Sequence, residues 1–169
     1  MTMPRIIAAH AGTGKTILAI NYPDNFVDFV CMPYKYYLPD EEPVEREASK
    51  ADWSLDMRED WPENYVRAIA QELTQHDKFL LIPPAMNVLS SLAKMGIKYF
   101  LVYPRRDAKD EYHERYINRG NNEEFMCIFV DGWDRFINSF ETDVHGVHII
   151  LEHGKYLSDA LSYVTERIV

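Results

Sequence analysis

The residues best equipped for chemistry sit near the start of the chain, in Ala9-His10-Ala11-Gly12-Thr13-Gly14-Lys15-Thr16, directly after the apolar run Arg5 to Ala9. The spacing is that of a phosphate-binding loop, G-x-x-x-x-G-K-[ST], with Ala9 in the first glycine position as the looser [AG] form allows. Small residues let successive backbone N–H groups turn inward around a phosphate, and the positive end of the helix that follows adds its dipole. Lys15 is then expected to reach the β and γ phosphates of ATP, and the Thr16 hydroxyl to ligate Mg2+. Ala11, Gly12, Thr13, Gly14, Lys15 and Thr16 are the expected ATP-binding residues. His10 lies in the same loop, but at a variable position whose side chain commonly faces away from phosphate, so it reads as structural despite its near-neutral pKa.

Such a loop needs a strand before it and a helix after it, and the rest of the chain supplies more of both. Short apolar runs recur at Phe26 to Met32, Phe79 to Ile82, Tyr99 to Tyr103 and Val147 to Leu151. Their continuous apolarity predicts strands buried on both faces. Between them, Val66, Ile69, Ala70 and Leu73 recur at helical spacing after Pro62, and Val88, Leu89, Leu92 and Met95 do so between Pro83-Pro84 and Gly96. Alternating strands and helices predict an α/β three-layer sandwich with a five-stranded parallel sheet. Two segments break the alternation. Residues 33 to 61 read as an acidic surface excursion, and residues 105 to 141 as a helical pair broken at Gly120-Asn121-Asn122, suited to a lid.

At 169 residues and 19.8 kDa the chain is expected to form a single domain spanning 1 to 169. Its net charge is −9, of which residues 40 to 63 hold −7, ten acids against three bases. A dominant basic face is therefore missing, which excludes general nucleic-acid binding. Residues 104 to 119, by contrast, carry five bases against four acids, compatible with a phosphate pocket. Cys31 and Cys127 stand in apolar runs without C-x-x-C spacing, so neither a disulfide framework nor a zinc site is expected. No apolar leader precedes the first strand and no run approaches the length of a membrane span, so a cytoplasmic protein without membrane association is expected.

The early phosphate loop, the excursion after the second strand and an arginine-bearing insertion before the last strand resemble the nucleoside and nucleotide kinase group, of which adenylate kinase is the familiar member. The runs FLLIPPAMNVLSSL, IKYFLVYPRRDAKDEYHERYINRGNNEEF and HIILEHGKYLSDAL are similar to small adenylate-kinase-like ATP-binding proteins often encoded by phages and bacterial mobile elements. That resemblance, over nearly the whole chain, implies strand order 2-3-1-4-5 and transfer of the ATP γ-phosphoryl group to a small nucleoside or nucleotide acceptor. It implies catalytic roles for Lys15 and for the lid arginines Arg115 and Arg119, four apart on one helical face, with Arg105 or Arg106 joining them. Gly154 and Lys155 correspond to the loop that packs against adenine. The acceptor is expected over the carboxyl ends of the second and third strands, near Tyr34, Lys35, Tyr36 and Tyr37, with Asp56 or Arg58 holding a sugar or phosphate.

The chain departs from the family at one place. Kinases of this group carry an Asp at the end of the third strand, where this chain reads Phe79-Leu80-Leu81-Ile82-Pro83-Pro84. Asp28, Asp52 and Asp56 are the acids that can replace it. Without a replacement, the alternative is a nucleotide-binding regulator or slow ATPase with no small-molecule acceptor.

Overall fold

The computed structural model describes residues 3–38 and 55–165. Five strands, β1 (Ile6–Ala9), β2 (Phe26–Asp28), β3 (Phe79–Ile82), β4 (Tyr99–Pro104) and β5 (Val147–Leu151), form one sheet in the order β2-β3-β1-β4-β5 with every neighbour parallel. β1 is central. Its Ile7 lies opposite Leu81 on one side and Phe100 on the other, and Ile6 to Ala9 are all fully buried. A strand covered on both faces has no polar side to present, which is why it reads as an unbroken apolar run.

Alternate residues of the strands feed two separate apolar clusters. On one face Ile7, Ala9, Leu81, Phe100 and Val102 pack against Leu18 of α1 (Lys15–Asn21) and against Leu157 and Val164 in the C-terminal 3₁₀ turn (Leu157–Ala160) and α8 (Leu161–Thr165). On the other, Ile6, Ala8, Leu80, Ile82 and Leu101 meet α3 (Glu63–Gln75) and α4 (Met86–Lys94). The expected α/β sheet, its strand order and its flanking helical layers are thus observed. α2 (Met32–Lys35) is a single turn after β2, so the apolar run expected as one strand to Met32 stops being strand at Asp28. Pro33 is accommodated there at the helix start, where its missing N–H costs nothing.

Residues 105 to 141, expected as a helical pair suited to a lid, fold as several short elements. They form a 3₁₀ turn (Arg106–Ala108), α5 (Lys109–Asn118), α6 (Glu123–Met126), a π turn (Cys127–Asp131) and α7 (Trp133–Glu141). Tyr112, Tyr116, Phe125, Trp133, Ile137 and Phe140 are buried in the same cluster as the sheet residues. Burying six large side chains packs this segment against the helical layer. In the excursion, Tyr36 bridges Met57 in antiparallel fashion; Asp40 to Asp52 and Trp53 lie outside the described residues. Among the described residues no helix is long and apolar enough to cross a membrane.

Candidate functional site

The loop after β1 turns sharply because two of its residues adopt left-handed backbone angles, Gly12 at φ 82° and Gly14 at φ 95°. Glycine is required at the first for a second reason, since a Cβ there would lie 2.8 Å from Cε1 of Tyr116. The Thr13 hydroxyl donates to the His10 carbonyl at 2.7 Å, closing the turn from inside, and α1 begins at Lys15. Among the described residues the amides of Gly12, Gly14, Lys15 and Thr16 find no acceptor. A row of unpaired N–H groups curving around one point forms a concave anion receptor.

Lys15 folds back over this concavity, its Nζ donating to the carbonyls of Ala9 at 2.6 Å and His10 at 3.3 Å. Burial lowers its pKa to about 8; Asp28 opposes the shift and Arg119 adds to it. The Thr16 hydroxyl donates to Oδ2 of Asp28 at 2.6 Å. Asp28 ends β2, one strand further from β1 than β3, and the 2.6 Å bond brings its carboxylate to the start of α1. An acid on the outer strand thereby stands where the Pro83-Pro84 strand end provides none.

The loop is gripped from the side by α5. The Tyr116 hydroxyl donates to the Ala11 carbonyl at 2.9 Å. Arg115 donates Nη1 to the Gly12 carbonyl and Nη2 to Glu111 and to the Lys155 carbonyl, at 3.0, 2.5 and 3.0 Å. Its guanidinium is also sandwiched between the rings of Tyr112 and Tyr156, 4.5 and 3.9 Å from their centroids. With its side chain only 10% exposed and three of its five N–H donors engaged, Arg115 is a clamp joining the glycine loop, α5 and the turn after β5. Glu111 completes that turn by accepting from the Gly154 amide and pairing with His153. These contacts hold the Glu111 carboxyl below the ordinary range against the opposing effect of burial and raise the pKa of His153. Arg119, one turn on at the C-cap of α5, differs: its guanidinium takes no carboxylate or carbonyl among the described residues.

His10 is 1% exposed and ringed by Tyr112, Phe129, Trp133, Phe136 and Phe140, with centroids 5.4 to 6.2 Å away. Burial, with a smaller push from Lys15, drops its pKa to about 3, so it stays neutral. It fills the core behind the loop, as its variable position in the motif suggested.

A cavity of about 610 Å³ opens over the loop at the carboxyl ends of the strands. This falls within the size of a small-molecule site. Of the expected residues, Ala11, Gly12, Gly14, Lys15, Thr16, Arg115, Arg119, Lys35 and Tyr36 line it. Thr13 is fully buried beneath the loop, and Gly154 and Lys155 touch the site only through Glu111 and Arg115. The structure does not bring the others together. Tyr34 packs on Phe29 and Tyr65, Asp56 offers its carbonyl to the Tyr37 amide, and Arg58 lies over the Tyr37 ring and pairs with Asp60. Arg105 is tied to Asp107 and Glu152, and Arg106 to Asp134 and Glu141, away from the cavity wall. Tyr156, the end of the expected His153-Gly154-Lys155-Tyr156 loop, joins the wall, and sequence reasoning missed Trp61, Phe125, Phe129 and Phe136 there. Aromatics at helical spacing look alike whether they finish a core or floor a cavity. Of the cavity-lining residues described, Asp28 is the one carboxylate.

The assembled site is a glycine loop with unpaired amides, a buried ammonium held by two carbonyls, a hydroxyl and carboxylate pair and one open guanidinium around a walled cavity. No protein-family model, no curated protein and no solved structure matches the chain.

Proposed function

We propose that this chain has a P-loop NTPase fold of the kinase-like type and is an ATP-dependent phosphotransferase acting on a nucleoside or nucleoside monophosphate. The observation that carries the reading is the 2.6 Å bond from Thr16 to Asp28 beside Lys15 and the two left-handed glycines. It supplies the acid that the third strand lacks. The N–H groups of Gly12, Gly14, Lys15 and Thr16 would receive the β and γ phosphates, and Lys15 would exchange its bonds to the Ala9 and His10 carbonyls for phosphate oxygens. Arg119 would reach the transferring group, where charge spreads over equatorial oxygens and a guanidinium matches its geometry. Arg115 would act indirectly, by fixing the Gly12 carbonyl and so the curvature of the loop.

The donor set fits Mg2+, a hard cation bound by one or two protein oxygens with substrate phosphates and water. Thr16 and Asp28 would hold it, and it would supply charge neutralisation at the β and γ oxygens. Among the described residues no group of three or more His, Cys, Asp or Glu could hold a metal alone.

The test is ADP formation from ATP and Mg2+ with a panel of nucleosides and monophosphates, using Lys15→Ala and Asp28→Asn as controls. Acceptor-dependent turnover, lost by at least 100-fold in both variants, is expected. Lys15-dependent turnover indifferent to every acceptor would replace the kinase by a slow ATPase or nucleotide-operated regulator. One observation favours that second reading: Arg105, Arg106 and Arg115 are all engaged within the protein, leaving Arg119 as the open arginine at the described cavity wall.

A further inference from the structure

The clamp on the glycine loop ends in a histidine whose two ring nitrogens both face carboxylates. Nδ1 of His153 lies 3.2 Å from Oε2 of Glu111, and Nε2 lies 3.1 Å from Oδ1 of Asp107. A carboxylate only accepts, so both contacts are hydrogen bonds only when both nitrogens carry a proton, which is the imidazolium form. A neutral imidazole has one N–H and must turn its lone pair toward the other carboxylate. The side chain is 49% exposed, so its proton exchanges with solvent. The charged groups around it are Asp107 and Arg105 at the 3₁₀ turn and Glu111 and Arg115 on α5, with Glu152 and Lys155 beside it on its own turn. Arg105 is itself held by Asp107 and Glu152. The Glu111 and Asp107 carboxylates raise the pKa of the imidazole above its ordinary value, against opposing effects of desolvation and of Arg105.

Glu111 passes this contact on. Its Oε1 accepts from Nη2 of Arg115 at 2.5 Å and from the Gly154 amide at 3.0 Å, and Nη1 of Arg115 holds the Gly12 carbonyl at 3.0 Å. Three hydrogen bonds in series therefore join an exposed imidazole to the curve of the phosphate loop. We infer that His153 and Glu111 are positioning residues through which a single proton sets the grip of Arg115 on the glycine loop, so that a nucleoside triphosphate binds more tightly to the form protonated at His153. The inference rests on the phosphotransferase reading for the identity of the ligand, and adds regulation to it. With the imidazolium in place, both oxygens of Glu111 are held and its carboxylate is fixed against Arg115. When the proton leaves to solvent, one of the two carboxylates loses its donor, and the turn after β5 is tied to α5 and the 3₁₀ turn by one imidazole bond instead of two. The pairing is complete below about pH 6.5, the value of a free imidazole, and is lost as pH rises through the higher folded value.

The experiment uses the full chain, labelled with 13C and 15N and followed by NMR from about pH 5.5 to 9 without nucleotide, then by calorimetry with Mg2+ and the β,γ-imido analogue of ATP. The His153 ring and the Gly12 carbonyl carbon should titrate with one shared midpoint above about pH 6.5. That response of Gly12 should vanish in His153→Asn and in Glu111→Gln, which keeps an acceptor for Arg115 and Gly154 but removes the charge that holds the imidazolium. Lys15 titrates in every variant and cancels in the comparison. At about pH 6 the wild type should bind the analogue about threefold more tightly than His153→Asn, the size of one exposed charge pair, and at about pH 9 the two should agree. His153→Lys, charged throughout, should keep the advantage over His153→Asn at both pH values, a rescue that a merely structural histidine does not predict. A Gly12 carbonyl indifferent to His153, or the same pH dependence of affinity in the wild type and His153→Asn, overturns the inference and leaves the phosphate loop standing. Coupled titration with no analogue bound at any pH overturns the phosphotransferase reading and the nucleotide half of the inference, while the proton-linked hold on the loop remains.

Discussion

Gly12→Ala tests whether the glycine loop owes its shape to the helix beside it. Two costs follow from the structure. Holding alanine at φ 82° costs about 1–2 kcal/mol, because Cβ crowds the carbonyl in the left-handed region. The new methyl would also stand 2.8 Å from Tyr116 and 3.3 Å from Tyr112, rings that are fully buried and cannot swing aside, an overpacking worth about 1–3 kcal/mol. The expected loss is about 3.5 kcal/mol, or on the order of 10 °C in Tm for a chain of this length. Gly120→Ala is the control. Gly120 also has positive φ, at 73°, but nothing lies within 4 Å of its missing Cβ, so only the first cost applies and Tm should fall about 4 °C. Any gain from stiffening the unfolded chain is common to both variants and cancels in the comparison. Differential scanning calorimetry of the two variants, with Gly12→Ala/Tyr116→Leu as a third, reads the difference. Equal losses for the two glycines, or strict additivity in the double variant, would refute the reasoning that Tyr116 and the loop are packed as one unit.

The two arginines of α5 should separate cleanly. Arg115→Ala strands the Gly12 and Lys155 carbonyls and should lower Tm by on the order of 8 °C, whereas Arg119→Ala should leave Tm within about 1 °C and reduce kcat by about 100-fold or more. The reverse pattern in melting and kinetics would exchange their roles. His10→Phe should be tolerated at pH 7 and should resist acid better than the wild type. A folded pKa of about 3 against 6.5 unfolded means the wild type loses about 1.4 kcal/mol per pH unit as pH falls below about 6, which urea melts from pH 7 to 4 would reveal. Lys15 acts in the same direction at alkaline pH. Its pKa of about 8 lies below the unfolded value, so wild-type stability should rise relative to Lys15→Met between about pH 8 and 10.5, and parallel curves across that window would contradict the buried ammonium.

Much of this molecule follows from local chemistry. Ile6 to Ala9, Leu80 to Ile82 and Phe100 to Val102 are unbroken apolar runs, and an unbroken run of strand length is stable only between two covered faces. The loop from Ala9 to Thr16 is equally legible, since its glycines, lysine and threonine serve a local turn at fixed spacing. What the sequence could not decide was which long-range partner each polar side chain takes. Arg115 and Arg119 are indistinguishable as residues four apart on one helix, yet one meets a carbonyl 103 positions away and is used up, while the other stays open. Asp28 was one acid among three candidates until the sheet order brought it against Thr16. The aromatics of residues 125 to 136, fit by pattern for a lid, became core and cavity wall because the hydrophobic effect rewards burial without specifying against what. Sequence by itself determined the short apolar strands and the glycine turn from Ala9 to Thr16, which depend on contacts within a few residues and on uniform burial. Only the tertiary structure decided which charges are spent inside the protein and which face the cavity, because a charge is satisfied by whatever the fold places within hydrogen-bond reach.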